Sequence, residues 1–335
     1  MNWFCTYCDQ GYAARLLCLY QSLKAQAEEF RLFVLCLDEA TAAVVAAQRD
    51  PALVAVPLAE LLEADPAYAA VRTTRSRIEF YFTATPVIIR HCLKREPAAP
   101  LMTYLDADLY FFGPASTVLA EQGDASVGIV PHRFTRRSRN SRRHGTYNVA
   151  WVSFRRDVDG MACLEWWRER CLEWCFDRVE GSRFADQGYL DEFPGRFRNV
   201  RVLEHAGINA APWNLEPAAF AVIEGQPWLH GQPVLFYHYQ GIREVEPGWF
   251  DPGLRNYHTP LTPEVRDSLY LPYLRQLTEQ QARLRHHGIE PVIGYPRLPP
   301  NYELKAVWER FRTTRPWTIY RRWRGKLVRC PEPSA

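Results

Sequence analysis

Residues 103–113 read TYLDADLYFFG: an apolar approach, then Asp106, Ala107 and Asp108, then aliphatic and aromatic residues up to Gly113. Two ionised carboxylates one residue apart repel each other, and an apolar setting makes them costly unless something cationic compensates. A divalent cation at the end of a strand would do so. The carboxylates supply hard oxygen ligands, and the ion cancels their repulsion and bridges phosphate oxygens. On its own an Asp-x-Asp also fits a capped turn, so the rest of the chain has to decide.

The chain has 335 residues, 47 % apolar and 24 % charged, the balance of a globular protein. A net charge of +3 gives no reason to expect a nucleic-acid partner. The N-terminal MNWFCTYCDQGYAA lacks a basic start and carries Asp9 where an apolar core would run, so no export signal is expected. No apolar run approaches the ~18–20 residues of a membrane span. With no export signal, the nine cysteines read as reduced thiols, Cys5-x-x-Cys8 included, because no second CxxC or HxxxH pair accompanies it.

Working outward from the quoted stretch, NWFCTYCD (2–9) reads as a strand and GYAARLLCLYQSLKAQ (11–26) as a helix. FRLFVLCLDE (30–39) has the continuous apolar character of a buried parallel strand. The helix-like SRIEFYFTATPVIIRHCLK (76–94) then leads into LMTYLDADLYFF, read as one strand. Strands alternating with helices indicate an α/β fold with a mostly parallel central sheet flanked by helices. Ligands in such sheets bind beyond the carboxyl ends of the strands, where Asp9, Asp106 and Asp108 fall. ASVGIVPHRF (125–134) and YNVAWVSFRRD (147–157) are further strands, separated by the arginine-rich loop 135–146. That loop reads as a lid over the phosphates of a bound substrate, a surface for an anionic second substrate, or a solvated loop. The domain is expected to span residues 1–255, with a helical, basic C-terminal extension over 256–335. From Arg310 onward the extension mixes eight basic residues with Trp317, Tyr320 and Trp323. That composition suits peripheral contact with an anionic membrane through 310–329, a solvated tail being the alternative.

YLDADLYFFG resembles the YLDADxxxxG strand of glycosyltransferases with the GT-A fold, especially family 8 and related bacterial nucleotide-diphospho-sugar transferases. The resemblance continues in order. FCTYCDQGYAARLLCLYQSL resembles their opening strand and helix, and YNVAWVSF stands where they have FNSGVMLI. FADQGYLDEF is similar to their DQxxLN segment, and FYHYQGI to their HFxG segment. It implies that Asp106, Asp108 and His238 hold Mn²⁺ or Mg²⁺, and that a nucleotide-diphosphate sugar, UDP-linked by expectation, completes the coordination. It further implies that Tyr7 and Asp9 meet the base, that Arg77 reaches the donor or else pairs with Glu79, and that Asn148 contacts the transferred sugar. Asp186 and Gln187 then sit against the anomeric centre, with retention of configuration expected. The chain departs from the family at Val149 and Ala150, which replace Ser-Gly, and after HYQG, where Arg243 is expected to take over a phosphate contact from the family's lysine.

The implied function is a metal-dependent, cytoplasmic hexosyltransferase working at the inner membrane face. It would act on a glycan or lipid-linked glycan acceptor in surface polysaccharide or lipopolysaccharide-type synthesis. The alternatives are a non-catalytic scaffold derived from a transferase, or a sugar nucleotidyltransferase. The single glycine of CDQGYAAR disfavours the latter, because those enzymes carry a Gly-rich phosphate loop there.

Overall fold

Asn2–Cys8 (β1) and Phe30–Cys36 (β2) are buried along almost their whole length, as strands covered on both faces must be, and they pair in parallel. The structure, a computed structural model, describes residues 1–286, 288–289, 321–322 and 325–330. Between the first two strands, Asp9 caps a 3₁₀ turn by accepting from Gly11 N at 3.0 Å, and Ala13–Ala25 (α1) follows. Glu39–Ala47 (α2), capped by Asp38, leads into Leu53–Pro57 (β3). Leu58–Ala64 (α3), Pro66–Val71 (α4) and the long Arg77–Arg95 (α5) come next, α5 opening on a Ser76/Glu79 capping box.

Leu101–Leu105 (β4), Leu109–Phe111 (β5), Ala115–Gln122 (α6), Val127–Pro131 (β6) and Tyr147–Arg155 (β7) surround the acidic stretch. After them run Val158–Glu173 (α7), Phe193–Arg196 (α8) and Val200–Val202 (β8). The main sheet has seven strands in the order β3-β2-β1-β4-β7-β6-β8, with β7 the antiparallel member. Phe33, Leu35, Met102, Tyr104 and Val152 cover one face and pack on Phe80, Ile88 and Trp167. On the other face Phe4, Leu32, Val34 and Trp151 pack on Leu16, Leu19 and Tyr20.

Phe220–Ile223 (β9), Gln226–Leu229 (β10) and Gln232–Pro233 (β11) make a small meander. Phe236–His238 (β12) then pairs antiparallel with β5, in the register Phe236↔Phe111, Tyr237↔Tyr110, His238↔Leu109. The single strand expected for LMTYLDADLYFF is therefore two. The main sheet ends at Leu105, Leu109 N donates to Asp106 O across a tight turn, and β5 enters a second sheet. The run is apolar on both sides of the turn, so its pattern does not reveal the change of sheet. The partner strand more than a hundred residues away does.

Arg243–Glu246 (β13) and Trp249–Asp251 (β14) form a hairpin, and after Pro263–Val265 (α9) the helix Leu271–His286 (α10) packs its Tyr273, Leu274 and Leu277 against the outer side of α1. Val328–Arg329 (β15) adds a third strand beside β14. Of the segment 310–329 in which membrane contact was expected, residues 310–320, 323 and 324 lie outside the described residues. Arg321 turns inward, 1 % exposed, and binds both carboxylate oxygens of Asp251 at 2.8 and 3.0 Å. Among the described residues, no helix is long and apolar enough to cross a membrane.

Candidate active site

The register of β5 with β12 carries His238 to the Asp106–Asp108 turn. One ligand atom from each of Asp106, Asp108 and His238 falls within 4.8 Å of the others. His238 Nε2 lies 3.2 Å from Asp108 Oδ1 and 3.7 Å from Asp106 Oδ2. Just past β12, Gly241 sits at φ 79°, where a side chain would be strained, and turns the chain away from the cluster. Trp213 stands edge-on to the imidazole with ring centroids 5.1 Å apart.

The electrostatics answer the question of the paired carboxylates. Burial pushes Asp106 up to about 6, with Asp108's charge adding to it while His238 and the Tyr104 hydroxyl (3.0 Å) act against the rise. Burial also opposes ionisation of Asp108, but the His238 cation and then Arg15 outweigh it and hold that carboxyl below its ordinary value. Burial likewise resists charging His238, and the two carboxylates overcome it and hold the imidazole above its usual range. The site thus gathers two carboxylates around one proton, with the buried Nδ1 of His238 left without a hydrogen-bond partner. Two carboxylate oxygens and one imidazole nitrogen converging in a corner that is open only at the half-buried Asp106 fit a divalent ion of the Mn²⁺ or Mg²⁺ kind.

Arg15 has no counterpart in the reading of the sequence. It comes from the first turn of α1, donates to Ile242 O at 2.9 Å and so ties the segment after His238 back to the opening helix. The signal for it is modest: it is the first basic residue of the chain, placed one turn into the helix after the first strand.

At the other end of the site, the left-handed Ala185 (φ 47°) precedes Asp186. Asp186 is 3 % exposed and accepts from Thr85 Oγ1 at 2.7 Å. Burial pushes its carboxyl up to about 7, the Thr85 hydrogen bond opposes this, and the charge of Asp106 adds to it. The two ends therefore lie within electrostatic reach of each other. Gln187 Oε1 accepts from Asn148 Nδ2 at 2.9 Å, and Gln187 Nε2 donates to His144 O at 2.8 Å. Asn148 Nδ2 also lies 3.2 Å from His132 Nε2, while His132 Nδ1 is 3.2 Å from Thr146 O. The two contacts together fix the imidazole as the neutral tautomer with its proton on Nδ1, and burial holds its pKa down at about 3. His132, Thr85 and Trp213 were not recognised from the sequence. Their roles come from contacts across the fold, and nothing in their local pattern marks them. Val149 and Ala150 turn into the two cores on either face of the sheet.

The remaining sequence candidates group as follows. Arg77 Nη2 donates to Asp9 Oδ2 and Arg77 Nε to the Tyr81 hydroxyl at 2.7 Å, while Glu79 closes the capping box with Ser76. The structure thus joins Arg77 to Asp9 rather than to Glu79. Tyr7 packs its ring between Tyr104 (5.6 Å) and Tyr81 (6.3 Å), bridging Asp9's end of β1 to the Asp106–Asp108 corner. Arg243 is buried on β13, and its guanidinium faces Asp251 at 3.3 Å.

The chain matches no family model. It is 33 % identical over 250 residues to the uncharacterized Bacillus subtilis protein YfnF, covering 72 % of this chain and 82 % of YfnF. The chain belongs to the YfnF family. A second B. subtilis protein, the uncharacterized YfnD, is 26 % identical over 277 residues, covering 82 % of this chain and 88 % of YfnD. Among solved structures, the chain is similar to an active-site mutant of LgtC, with a TM-score of 0.50, 19 % identity and coverage of 84 % of this chain and 96 % of that one. It is also similar to WbbM, described as a bifunctional glycosyltransferase, with a TM-score of 0.52, 10 % identity and coverage of 86 % and 51 %. The fold of this YfnF relative is the GT-A fold.

Proposed function

We propose that this protein is a metal-dependent glycosyltransferase that moves a sugar from a nucleotide-diphosphate donor to a glycan acceptor. The observation that carries the reading is the convergence of half-buried Asp106 with buried Asp108 and His238 at one corner of a GT-A sheet, within electrostatic reach of Asp186. Bound there, Mn²⁺ or Mg²⁺ would neutralise charge developing on the departing nucleotide.

The chain's own residues divide the remaining tasks. Asp9 with Arg77, beside Tyr7, offers a polar edge for the base. Arg15 adds a fixed positive charge near Asp108, suited to a diphosphate. Asn148 and Gln187 lock each other's amides and present a rigid polar wall to the sugar. Asp186 sits where a carboxyl can hold sugar hydroxyls or face an oxocarbenium-like centre. Gln187 is too weakly basic to act as an ordinary nucleophile, which favours retention by front-face attack. A UDP-linked donor, an acceptor of surface-glycan type, and action by residues 1–255 with 256–335 as an extension complete the proposal. A cytoplasmic setting is supported by nine cysteines that are all unbridged and buried.

The test is a thermal-shift screen of UDP-, GDP-, CDP- and dTDP-sugars with and without Mn²⁺. A donor at a hundredfold excess over Kd should stabilise the fold by about 2.7 kcal/mol. One nucleotide class should shift the protein only with metal. A protein that no donor shifts, with or without Mn²⁺, would instead be a scaffold.

A further inference from the structure

The segment between β6 and β7 holds a dense block of unmatched charge. Arg136, Arg137, Arg139, Arg142 and Arg143 are all exposed, and no Asp or Glu occurs from His132 to Thr146. Many arginines elsewhere face a carboxylate: Arg168 with Asp65, Arg90 with Glu165, Arg31 with Glu96 and Arg95 with Glu60. Among the described residues none of the five has such a partner. Like charges this close repel each other, and a bound anion would relieve the repulsion.

The segment is fastened to the active site at both feet. Ser138 Oγ donates to Trp213 O at 2.6 Å, and the Trp213 ring abuts His238. His144 O accepts from Gln187 Nε2, Gly145 reverses the chain at φ 115°, and Thr146 N donates to Asp191 at 2.8 Å. The arginines therefore stand on a base whose supports are Gln187 and the Trp213 loop. Under the transferase reading the donor's diphosphate already has counter-charge elsewhere, in a divalent ion held by Asp106, Asp108 and His238 and in Arg15. The charge of the segment is left for a second anion, and a transferase has a second substrate.

We propose that residues 136–143 bind a phosphate or diphosphate group on the acceptor, so that the acceptor class is a phosphate-bearing sugar or sugar carrier. The inference rests on the transferase reading. Guanidinium forks grip phosphate oxygens in pairs, and footing on Gln187 would bring the phosphorylated end of the acceptor beside the sugar-binding wall.

The test titrates the full chain with inorganic pyrophosphate by calorimetry in EDTA, so that no metal draws the anion to the carboxylates. The wild type should bind, and Arg136→Gln/Arg139→Gln/Arg142→Gln should bind about tenfold more weakly, the summed loss of three exposed charge contacts. Added salt should erase the difference. The variant's urea midpoint and its Mn²⁺-dependent donor shift should match wild type. Equal pyrophosphate affinity in the two proteins overturns the proposal. So does loss of the donor shift in the variant alone, which would make the segment a donor clamp. If wild type shows no donor shift either, the transferase reading fails while the pyrophosphate comparison still tests the anion site. Two further probes tell the sources apart, and arginine-dependent binding of either supports the site: glucose 1-phosphate in solution, and phosphatidylcholine vesicles carrying a polyprenyl phosphate.

Discussion

His238 Nε2 lies 3.2 Å from Asp108 Oδ1 because β12 pairs with β5 in a register that sets His238 opposite Leu109, the residue after Asp108. Three residues on either strand define this register, so the Asp106–Asp108–His238 corner is built by backbone pairing alone.

Asp108→Ala is expected to leave the chain folded and to abolish metal-dependent donor binding. It removes a ligand together with one of two mutually repelling carboxylates, so a large loss of stability is not expected in EDTA. Thermal melts with and without Mn²⁺ check both halves, and a variant that keeps its Mn²⁺-dependent donor shift would disprove the metal assignment.

His132→Phe preserves the stack on Phe134 (4.4 Å between centroids) but removes the contacts to Asn148 and to Thr146 O. The expected cost is about 1–3 kcal/mol in a urea melt. Because Asn148 Nδ2 loses one of its two partners, kcat should fall on the order of tenfold to a hundredfold with the donor KM little changed. An unchanged kcat would show that the contacts to Gln187 and Ala150 N are enough to hold Asn148 in place.

Two buried groups respond to pH in opposite senses. The folded pKa of His132 is depressed to about 3, so the unfolded chain binds the extra proton and stability should fall as pH drops from about 6.5 toward 3. The folded pKa of Asp186 is raised to about 7 by burial, so the folded chain holds the extra proton and stability should fall as pH rises from about 4 to 7. Wild type alone therefore masks both. Asp186→Asn, which keeps an acceptor for Thr85, should stabilise the protein in EDTA by up to roughly 4 kcal/mol above pH 7 and by almost nothing near pH 4. Denaturant melts across that range check the sign, and a difference that does not grow with pH would place the Asp186 proton elsewhere.

Arg321→Ala is expected to destabilise the fold by about 3–5 kcal/mol, since it strips a buried carboxylate of its closest cation and leaves Arg243 as the cation still facing it. Adding Asp251→Asn should recover part of the loss, because the buried charge that Arg321 no longer balances goes with it. A single variant as stable as wild type, or a double variant no better than the single, would remove Arg321 from the account of stability.

The alternation of strands and helices over residues 2–111 was legible because each element carries its own period and caps, as the Ser76/Glu79 box shows for α5. Asp106, Asp108, His238, Asn148 and Gln187 stood out by their ordered motifs, and the fold brings them together. What stayed hidden depends on contacts between distant segments. The corner at Asp106 is set by β12, the charge of Arg15 acts on Asp108 from the opening helix, and His132 matters only because β6 and β7 place it beside Asn148. Arg243 carries a recognisable charge, but its facing of Asp251 follows from the hairpin register Arg243↔Asp251.

The strand pairing of Val328–Arg329 with Trp249–Phe250 sets an order of events during synthesis. The hairpin that begins at Arg243, just after His238, is made early, yet its outer strand stays open, and Asp251 lacks Arg321, until a much later part of the chain has left the ribosome. Closing so long a loop is slow compared with the local pairing of β13 and β14. A nascent chain therefore carries Asp106, Asp108 and His238 before the hairpin that follows them is secured, and a stall or truncation in translation before residue 321 would release a protein that has all three residues and an unfinished hairpin beyond them.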